Sequence, residues 1–323
     1  MTGPKGVLLL YTGSPDEATP RAVRAYLKRF LMDPRVMAMP GCLRWCLVHG
    51  IIAPIRARAS AAKYKAIWMP EGSPLVVLTD RFVEALQALL PGHKVAAGSA
   101  YGTPTVTDAL ASLTHAACSE IIVFPMFPHY AEATRGSLLA QYNDAVVDTA
   151  VAPSTTIIPP FYNSPAFIEA VCSKAAPALA EFKPDHVVFS YHGLPVRQGR
   201  ALPADGSGIS YEAQCEHTTT LLREALGIET NYCTHVYQSR FGRGWLEPQL
   251  EPALRALAAA GKHRVALLAP SFVTDCLETL EELDMRAREC FLTAGGTAFL
   301  RIPALNAAPQ WVAAIADMIK CRP

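Results

Sequence analysis

Residues 187–195 read Val187-Val188-Phe189-Ser190-Tyr191-His192-Gly193-Leu194-Pro195, and the expected architecture follows from this segment. Its first three residues are apolar and two are β-branched, which is typical of a buried strand, and the glycine and proline then force the chain out of the sheet. His192 therefore stands at the carboxyl end of a strand, where open parallel α/β sheets bind their ligands. We interpret it as a ligand-binding or proton-transfer residue. A histidine that only hydrogen-bonds a loop is the alternative.

Short apolar segments of this kind recur along the chain, each followed by a loop rich in Gly, Pro or Ser and then by a helical pattern. Strands that alternate with helices predict an α/β fold with two doubly wound domains, each with a four-stranded parallel sheet, and a ligand between them. The predicted strands are 6–10, 94–98, 120–124, 155–158, 186–190, 234–238, 264–269 and 297–300. The predicted helices are 20–31, 80–90, 105–116, 165–181, 211–226, 247–260, 275–292 and 308–320.

The length of 323 residues is enough for two domains of ordinary size. We place the domain boundary near Pro159-Pro160, which gives an N-terminal domain at 1–160 and a C-terminal domain with His192 at 161–306. The C-terminal helix, 307–323, is expected to pack back on the first domain.

The composition predicts a globular protein without a nucleic-acid partner, because 51% of the residues are hydrophobic and the net charge is +1. The apolar run 6–10 follows Lys5 at once and is too short for a signal core. Nine cysteines with irregular spacing are not a disulfide framework, and these features favour a reducing, cytoplasmic compartment. Cys42 and Cys46 share a helix face, and we expect buried small side chains there rather than ligands of zinc or an iron–sulfur cluster.

The segment 36–68 does not follow the alternation of predicted strands and helices. It is long and apolar, but prolines and charged residues interrupt it, so a transmembrane helix is not expected. An apolar surface beside cations suits a lip over an apolar cavity or a shallow seat in a membrane interface, and an ordinary core hairpin is the alternative. The cations at its end are Arg56, Arg58, Lys63 and Lys65.

Aromatic and apolar residues gather at the predicted strand ends. Tyr101 closes the second strand, and the sequence Pro-Met-Phe-Pro-His-Tyr at 125–130 closes the third. The sixth strand ends in Gln238, with Arg240 and Trp245 soon after, which offer hydrogen bonds, a fixed cation and a stacking face. This combination suits a large, flat, apolar molecule better than a sugar phosphate.

The helix predicted after the seventh strand carries a line of carboxylates. At about 100° per residue, Asp275, Glu278 and Glu282 fall on one face and three leucines fall on the other. A solvated acidic face near a helix amino terminus is the ordinary interpretation. Because this helix begins at a strand's carboxyl end, its carboxylates start in the same region as His192. A neutral imidazole facing carboxylates suits a divalent cation, proton transfer, or both.

With these residues placed, the chain resembles the ferrochelatase family over nearly its whole length. The resemblance implies two chelatase-type, Rossmann-like domains with a porphyrin cleft between them. It also implies a lyase that inserts Fe2+ into protoporphyrin IX with loss of two protons, the terminal step of haem biosynthesis. The implied location is the cytoplasm or the inner face of a membrane, with peripheral contact through 36–68. The matching segments are 6–15, 26–40, 60–75, 101–104, 125–137, 189–195, 238–242 with Trp245, and 271–284.

The resemblance also implies roles for single residues. His192 and Glu278 match the family's catalytic histidine and glutamate, which act on the metal and the protons. Asp275 and Glu282 match acidic residues that continue away from the site as a relay for protons or metal. The residues matched to porphyrin binding are Thr12, Tyr101, Ser190, Gln238 and Trp245, with Arg135 and Arg240 as candidate cations for the propionates.

Three positions depart from the family pattern. Cys276 stands where a histidine is usual, Ala100 where an arginine is common, and Tyr11 where asparagine or alanine is usual. The first leaves His192 and Glu278 as the principal pair, and the second means that propionate binding needs another cation. Some relatives carry a [2Fe–2S] cluster on several cysteines. This chain ends soon after a lone Cys321, so we predict no cluster and no permanently bound cofactor, with Fe2+ as a substrate.

The resemblance leaves other functions open. Relatives that act on coproporphyrin typically have tyrosine at position 12 and lack the long apolar lip, whereas this chain has Thr12 and a full lip. Protoporphyrin is therefore favoured over coproporphyrin. A non-catalytic porphyrin or haem carrier would not need the acidic residues, and a cobalt or nickel chelatase for a more anionic tetrapyrrole would call for a more basic pocket.

Overall fold

The computed structural model describes residues 4–147, 149, 152–203 and 206–321. Within them, eight strands form two four-stranded sheets in which every pair is parallel, with strand orders β2-β1-β3-β4 and β6-β5-β7-β8. This confirms the predicted α/β class and the two doubly wound sheets. The strands are β1 Lys5–Tyr11, β2 His93–Ser99, β3 Glu120–Pro125, β4 Ser154–Ile157, β5 His186–His192, β6 Cys233–Gln238, β7 Arg264–Leu268 and β8 Ala298–Arg301.

Helices of α, π and 3₁₀ type connect the strands. The α-helices are α1 Pro20–Met32, α2 Gly41–Leu47, α3 Ala53–Ile67, α4 Pro74–Leu89, α5 Val106–His115, α6 Ser137–Val147, α7 Pro165–Phe182, α8 Val196–Gly199, α9 Tyr211–Ala225, α10 Leu250–Ala259, α11 Arg288–Thr293 and α12 Pro309–Lys320. The π-helices are π1 Val48–Ile52, π2 Glu132–Gly136 and π3 Glu278–Ala287, and one 3₁₀ turn spans Thr230–Tyr232.

The contacts divide the chain into two compact units. The first comprises Met1–Phe127, Glu132–Pro159 and Ala307–Pro323, and the second comprises Pro128–Ala131 and Pro160–Asn306. In the first unit α12 packs on α4, and a core forms around Leu8, Leu110 and Val123. In the second unit a core forms around strand residues such as Val188 and Leu267, which are fully buried because helices cover both faces of a parallel sheet.

The segment 36–68 is helical over most of its length. Residues 41–67 run through α2, π1 and α3 without a break, so the core hairpin considered from the sequence is wrong. Four large apolar side chains of this helical segment are exposed to solvent: Leu43, Trp45, Ile51 and Ile55. Their exposed fractions range from 49% for Leu43 to 71% for Ile55. Cys42 and Cys46 are also exposed, so the expectation that they are buried is wrong. The apolar residues of this segment therefore lie partly on the protein surface and partly in the packed interior.

The acidic helix differs from the expected α-helix, because Glu278–Ala287 forms the π-helix π3 before α11 continues. π-helices are rare in proteins, and those that occur often lie at functional sites. The wider turn changes which residues face inward: Glu281 and Leu283 are buried, whereas Leu280 is only half-buried. The prediction of a 100° repeat therefore placed Glu278 and Glu282 on the helix but misjudged its inward face, and it was wrong to include Asp275, which precedes the helix.

Candidate active site

His192 lies at the carboxyl end of β5, half-buried, with its ring held by its own loop. Its Nδ1 lies 2.8 Å from the carbonyl oxygen of Gly193. A carbonyl can only accept, so Nδ1 carries the proton in the neutral ring and Nε2 keeps its lone pair. The carbonyl of His192 in turn accepts a hydrogen bond from the buried hydroxyl of Tyr211 at 2.9 Å. His192 is thereby prepared to accept a proton or to ligate a metal through Nε2.

The loop after His192 pairs with the loop that follows β6. Gly193 N–H donates to the carbonyl of Gln238 at 2.8 Å, and Leu246 N–H donates to the carbonyl of Leu194 at 2.9 Å. A Cβ on Gly193 would lie 2.7 Å from the Gln238 carbonyl oxygen, so only glycine allows this approach. The two loops therefore hold each other at the carboxyl edge of the sheet.

Ser190 and Gln238 lie behind this edge and bind each other. The Ser190 hydroxyl donates to Gln238 Oε1 at 2.7 Å, and both side chains are buried. The amide nitrogen of Gln238 has no acceptor among the described residues. The structure thus brings these two predicted residues together and leaves one buried donor at the strand end.

The segment after β7 approaches His192 from the other side. The Phe272 ring lies with its centroid 6.5 Å from the His192 ring. Farther along, Cys276 is buried, two residues before Glu278. Burial, and next the negative charge of Glu278, raise the pKa of this thiol well above its ordinary value. The residue that departs from the family pattern is therefore a buried, neutral thiol in place of a second imidazole.

Asp275 is buried in a network of three donors. Arg301 donates to its Oδ1 at 2.7 Å, the amide of Ala304 approaches the same oxygen at 3.3 Å, and the Asn306 side chain donates to Oδ2 at 2.8 Å. The side chains of Asp275 and Arg301 are each only 6% exposed. These contacts tie the start of the acidic segment to the segment after β8. The relay role of Asp275 stays a prediction.

Glu282 also has its carboxylate engaged. Ser239 donates to it twice, from the backbone N–H at 2.9 Å and from the hydroxyl at 2.6 Å, and Arg286 lies 3.8 Å away. The neighbouring Glu281, which sequence reasoning did not single out, is buried and pairs with Arg286 at 2.9 Å. The relay role of Glu282 stays a prediction as well.

The predicted residues of the first unit meet at the ends of β1 and β2. Tyr101 N–H donates to the carbonyl of Thr12 at 3.0 Å. The Tyr101 hydroxyl donates to Asp33 at 2.8 Å, and its carbonyl accepts from Arg29 at 2.7 Å. Burial is the main reason that the pKa of Tyr101 is raised. Asp33 and Arg29 were not selected from the sequence, since charged side chains on a helix carry no signal of a distant partner.

The two arginines proposed for the propionates have different surroundings. Arg135 is 1% exposed, and its guanidinium donates to the carbonyls of Pro125, Phe127 and Ile158. Arg240 is exposed, and its Nε donates to the carbonyl of Gly242. Among these two, Arg240 has the charge that an incoming carboxylate can reach.

Trp245 is half-buried and pairs through its backbone with Pro195, in the loop that follows His192. Of the predicted residues, the second unit thus brings together His192, Ser190, Gln238 and Trp245, with Glu282 attached through Ser239. Across the described ranges, no three His, Cys, Asp or Glu side chains are grouped so as to hold a metal ion. No helix in the described part of the chain is both long and apolar enough to cross a membrane.

Solved structures with a similar fold include two of a chelatase and one of a protein that resembles chelatases. Sirohydrochlorin chelatase SirB from Bacillus subtilis subspecies spizizenii, in complex with cobalt, has a TM-score of 0.58 at 9% identity over 98% of this chain and 94% of that chain. SirB from Bacillus subtilis with Fe3+ gives 0.58 at 10% identity with the same coverage. A multi-domain Deinococcus radiodurans protein with structural similarity to chelatases gives 0.55 at 12% identity; it is matched over 98% of this chain, which spans only 55% of that protein.

These similarities show that the protein has the chelatase fold. At such low sequence identity they show the fold alone. The family comparison adds the family, because the model of the family described as Ferrochelatase matches residues 4–322. The chain therefore belongs to the ferrochelatase family, and it is a metal chelatase of tetrapyrrole metabolism.

Proposed function

We propose that this protein is a ferrochelatase that inserts Fe2+ into protoporphyrin IX, the terminal step of haem biosynthesis. The observation that carries the proposal is the His192 ring, whose Nδ1–H is held by the Gly193 carbonyl so that Nε2 offers a lone pair at the carboxyl edge of the sheet. Family membership supports the reaction class. The reaction releases two pyrrole protons for each Fe2+ inserted, so the site needs bases as well as ligands.

The bases proposed are His192 and Glu278. A neutral imidazole can take a pyrrole proton or ligate Fe2+, and a carboxylate can do either as well. The buried thiol of Cys276, whose pKa is raised by burial, adds neither a second imidazole nor a further base. The flat ring hides its nitrogen lone pairs, and apolar and aromatic walls that bind a bent macrocycle lower the barrier to metal entry.

Protoporphyrin is the proposed substrate because of Thr12 and the segment 36–68. The exposed apolar side chains of this segment suit the apolar edge of a dicarboxylate porphyrin better than a tetracarboxylate. Thr12, Tyr101, Ser190, Gln238 and Trp245 are the proposed contacts of the ring. Arg240 is the proposed partner of a propionate, while Arg135 stabilises the backbone around the end of β3.

The same exposed side chains support a peripheral contact with a membrane. Leu43, Trp45, Ile51 and Ile55 lie on a helical segment that also carries exposed Arg58. Apolar side chains beside cations favour the surface of an anionic bilayer. We expect the variant Trp45→Ser/Ile55→Ser to float less with anionic vesicles than the wild type, with Leu202→Ser, exposed in the second unit, as the control. Equal flotation of all three proteins contradicts membrane contact through 36–68.

Substrate choice is tested by anaerobic insertion assays followed by porphyrin absorbance. Fe2+, Zn2+ and Co2+ are each offered with protoporphyrin IX, coproporphyrin III or a polycarboxylated tetrapyrrole. We expect protoporphyrin to be metallated fastest. Preference for coproporphyrin keeps the chemistry but overturns the argument from Thr12 and the apolar segment. Tight binding without insertion identifies a carrier, and preference for Co2+ with the polycarboxylate identifies a different chelatase.

A further inference from the structure

Ser239 adopts a backbone conformation that is unfavourable for its residue type. Its φ is +63°, in the left-handed region that serine seldom occupies. Such a residue costs free energy and persists only where its surroundings fix it. Here the fixing group is Glu282, which accepts hydrogen bonds from the N–H of Ser239 at 2.9 Å and from its hydroxyl at 2.6 Å. The two bonds come from one residue to one carboxylate and form a clamp.

The clamp sets the direction of the loop that follows β6. Ser239 is the first residue after this strand, and the loop from Arg240 to Gly244 leads to Trp245. The carbonyl of Gly244 accepts from Val196 N–H at 2.9 Å. Trp245 pairs with Pro195, so this loop lies along the segment that follows His192.

His192 depends on that pairing for its own geometry. Its ring is held by the carbonyl of Gly193, and the N–H of Gly193 donates to the carbonyl of Gln238, directly before Ser239. A change in the peptide between Gln238 and Ser239 therefore reaches the His192 ring through two successive hydrogen bonds. Glu282 lies at the far end of this chain of contacts.

We propose that Glu282 is a positioning residue for His192, which it holds through Ser239 and the 239–245 loop. Its two oxygens accept from Ser239, and its side chain is 19% exposed. Its carboxylate is thus engaged as an acceptor rather than open for passing protons or metal ions. The catalytic consequence rests on the proposed function, whereas the effect on the loop does not.

Glutamine and alanine at position 282 separate positioning from a relay. In Glu282→Gln the Oε1 atom still accepts from Ser239 N–H, and the amide nitrogen donates to the Ser239 hydroxyl, so the clamp persists without charge. In Glu282→Ala both bonds are lost. A relay fails in both variants, since neither side chain carries a proton or binds a cation as a carboxylate does.

The loop can be followed without any enzymatic activity, because Arg240 and Arg243 are exposed trypsin sites within it. Cleavage of a native protein tracks the population of the open form. We expect cleavage at these two sites to be about tenfold faster or more in Glu282→Ala, since the bonds lost are to a charged group. Glu282→Gln should stay within about twofold of the wild type, and Ser239→Ala, which loses one bond, should fall between them. Glu289→Ala, at an exposed carboxylate on α11, is the matched control.

Mass spectrometry of the cleavage products shows whether opening is local to the loop or spreads over the whole unit. Unchanged cleavage at Arg240 and Arg243 in both Glu282→Ala and Ser239→Ala overturns the clamp. Metal insertion is then measured for the same variants, and we expect Glu282→Gln to recover most of what Glu282→Ala loses. If Glu282→Gln loses insertion as completely as Glu282→Ala while its loop stays closed, the relay is correct and positioning is overturned. A wild type that inserts no metal contradicts the proposed function but leaves the proteolysis result interpretable.

Discussion

Gly193 shows how one small residue fixes the site at the residue scale. It follows His192, accepts from the imidazole and donates to Gln238. Its sequence signal, a glycine after a strand, predicts only that the chain turns. The structure adds that an extra carbon atom would collide with a backbone carbonyl, 2.7 Å away.

We therefore expect Gly193→Ala to destabilise the second unit. A methyl group at this distance forces the two paired loops apart, which costs on the order of 1–3 kcal/mol. Thermal unfolding measures the effect, and Gly92→Ala, where nothing lies within 4 Å of the added carbon, is the control. An unchanged midpoint for Gly193→Ala contradicts the described pairing.

Thiol reactivity tests the exposure of the helical segment 41–67. Cys42, Cys46 and Cys321 are exposed, whereas Cys118, Cys215 and Cys276 are buried. We expect the native protein to react quickly with a thiol reagent at the first three and only after unfolding at the other three, because burial both shields a thiol and raises its pKa. Labelled peptides identified by mass spectrometry give the order. Slow labelling of Cys42 and Cys46 contradicts an exposed helix.

The π-helix π3 is the point where sequence reasoning fell short at the scale of elements. Eight strands and most helices follow from apolar runs and turn residues, and the proposed catalytic pair His192 and Glu278 from the family motifs. A π-helix has no such signal, because its hydrogen bonds depend on how its neighbours pack. The partners of Asp275 and Glu282 were also unpredictable, because Arg301, Asn306 and Ser239 lie far away in sequence.

The buried ion pair between Asp275 and Arg301 joins the segment just before π3 to the end of β8. In Asp275→Ala, Arg301 is left as a buried charge without this carboxylate, which costs about 3–5 kcal/mol. Glu251→Ala removes a carboxylate from an exposed pair with Arg255 and should cost no more than about 1 kcal/mol. Chemical denaturation compares the two variants. Equal losses contradict a structural role for Asp275.

Two histidines of the second unit, buried His129 and half-buried His235, make its stability depend on pH. Burial lowers the pKa of His129 to about 3 and that of His235 to about 4, from an ordinary value of 6.5. Below about pH 6.5 the unfolded chain binds protons that the folded chain does not, so the free energy of unfolding falls toward pH 4. Each histidine contributes a slope of up to about 1.4 kcal/mol per pH unit.

Denaturation at several pH values checks this dependence. His235→Gln should have a shallower slope between about pH 6.5 and 4.5 than the wild type, because one histidine that takes up a proton only on unfolding is removed. His115→Gln, at an exposed position in the first unit, should keep the wild-type slope. Identical slopes in all three proteins contradict a lowered pKa of His235 in the folded protein.

The fold class was the most predictable property at the scale of the whole molecule, because eight apolar runs of strand length leave few alternatives to parallel sheets. The segment 36–68 was the least predictable, since an exposed apolar helix and a buried hairpin share one composition. Its exposed side chains became visible only when the packing of α2, π1 and α3 was known.

The most direct test of the account is anaerobic insertion of Fe2+ or Zn2+ into protoporphyrin IX by the wild type, His192→Ala and Glu278→Gln, with porphyrin binding measured in parallel. We predict rapid metallation by the wild type, a loss of about 10²-fold or more in each variant, and porphyrin binding within a few-fold of wild type in all three. Near-normal metallation by His192→Ala contradicts the assignment of the reaction to this site.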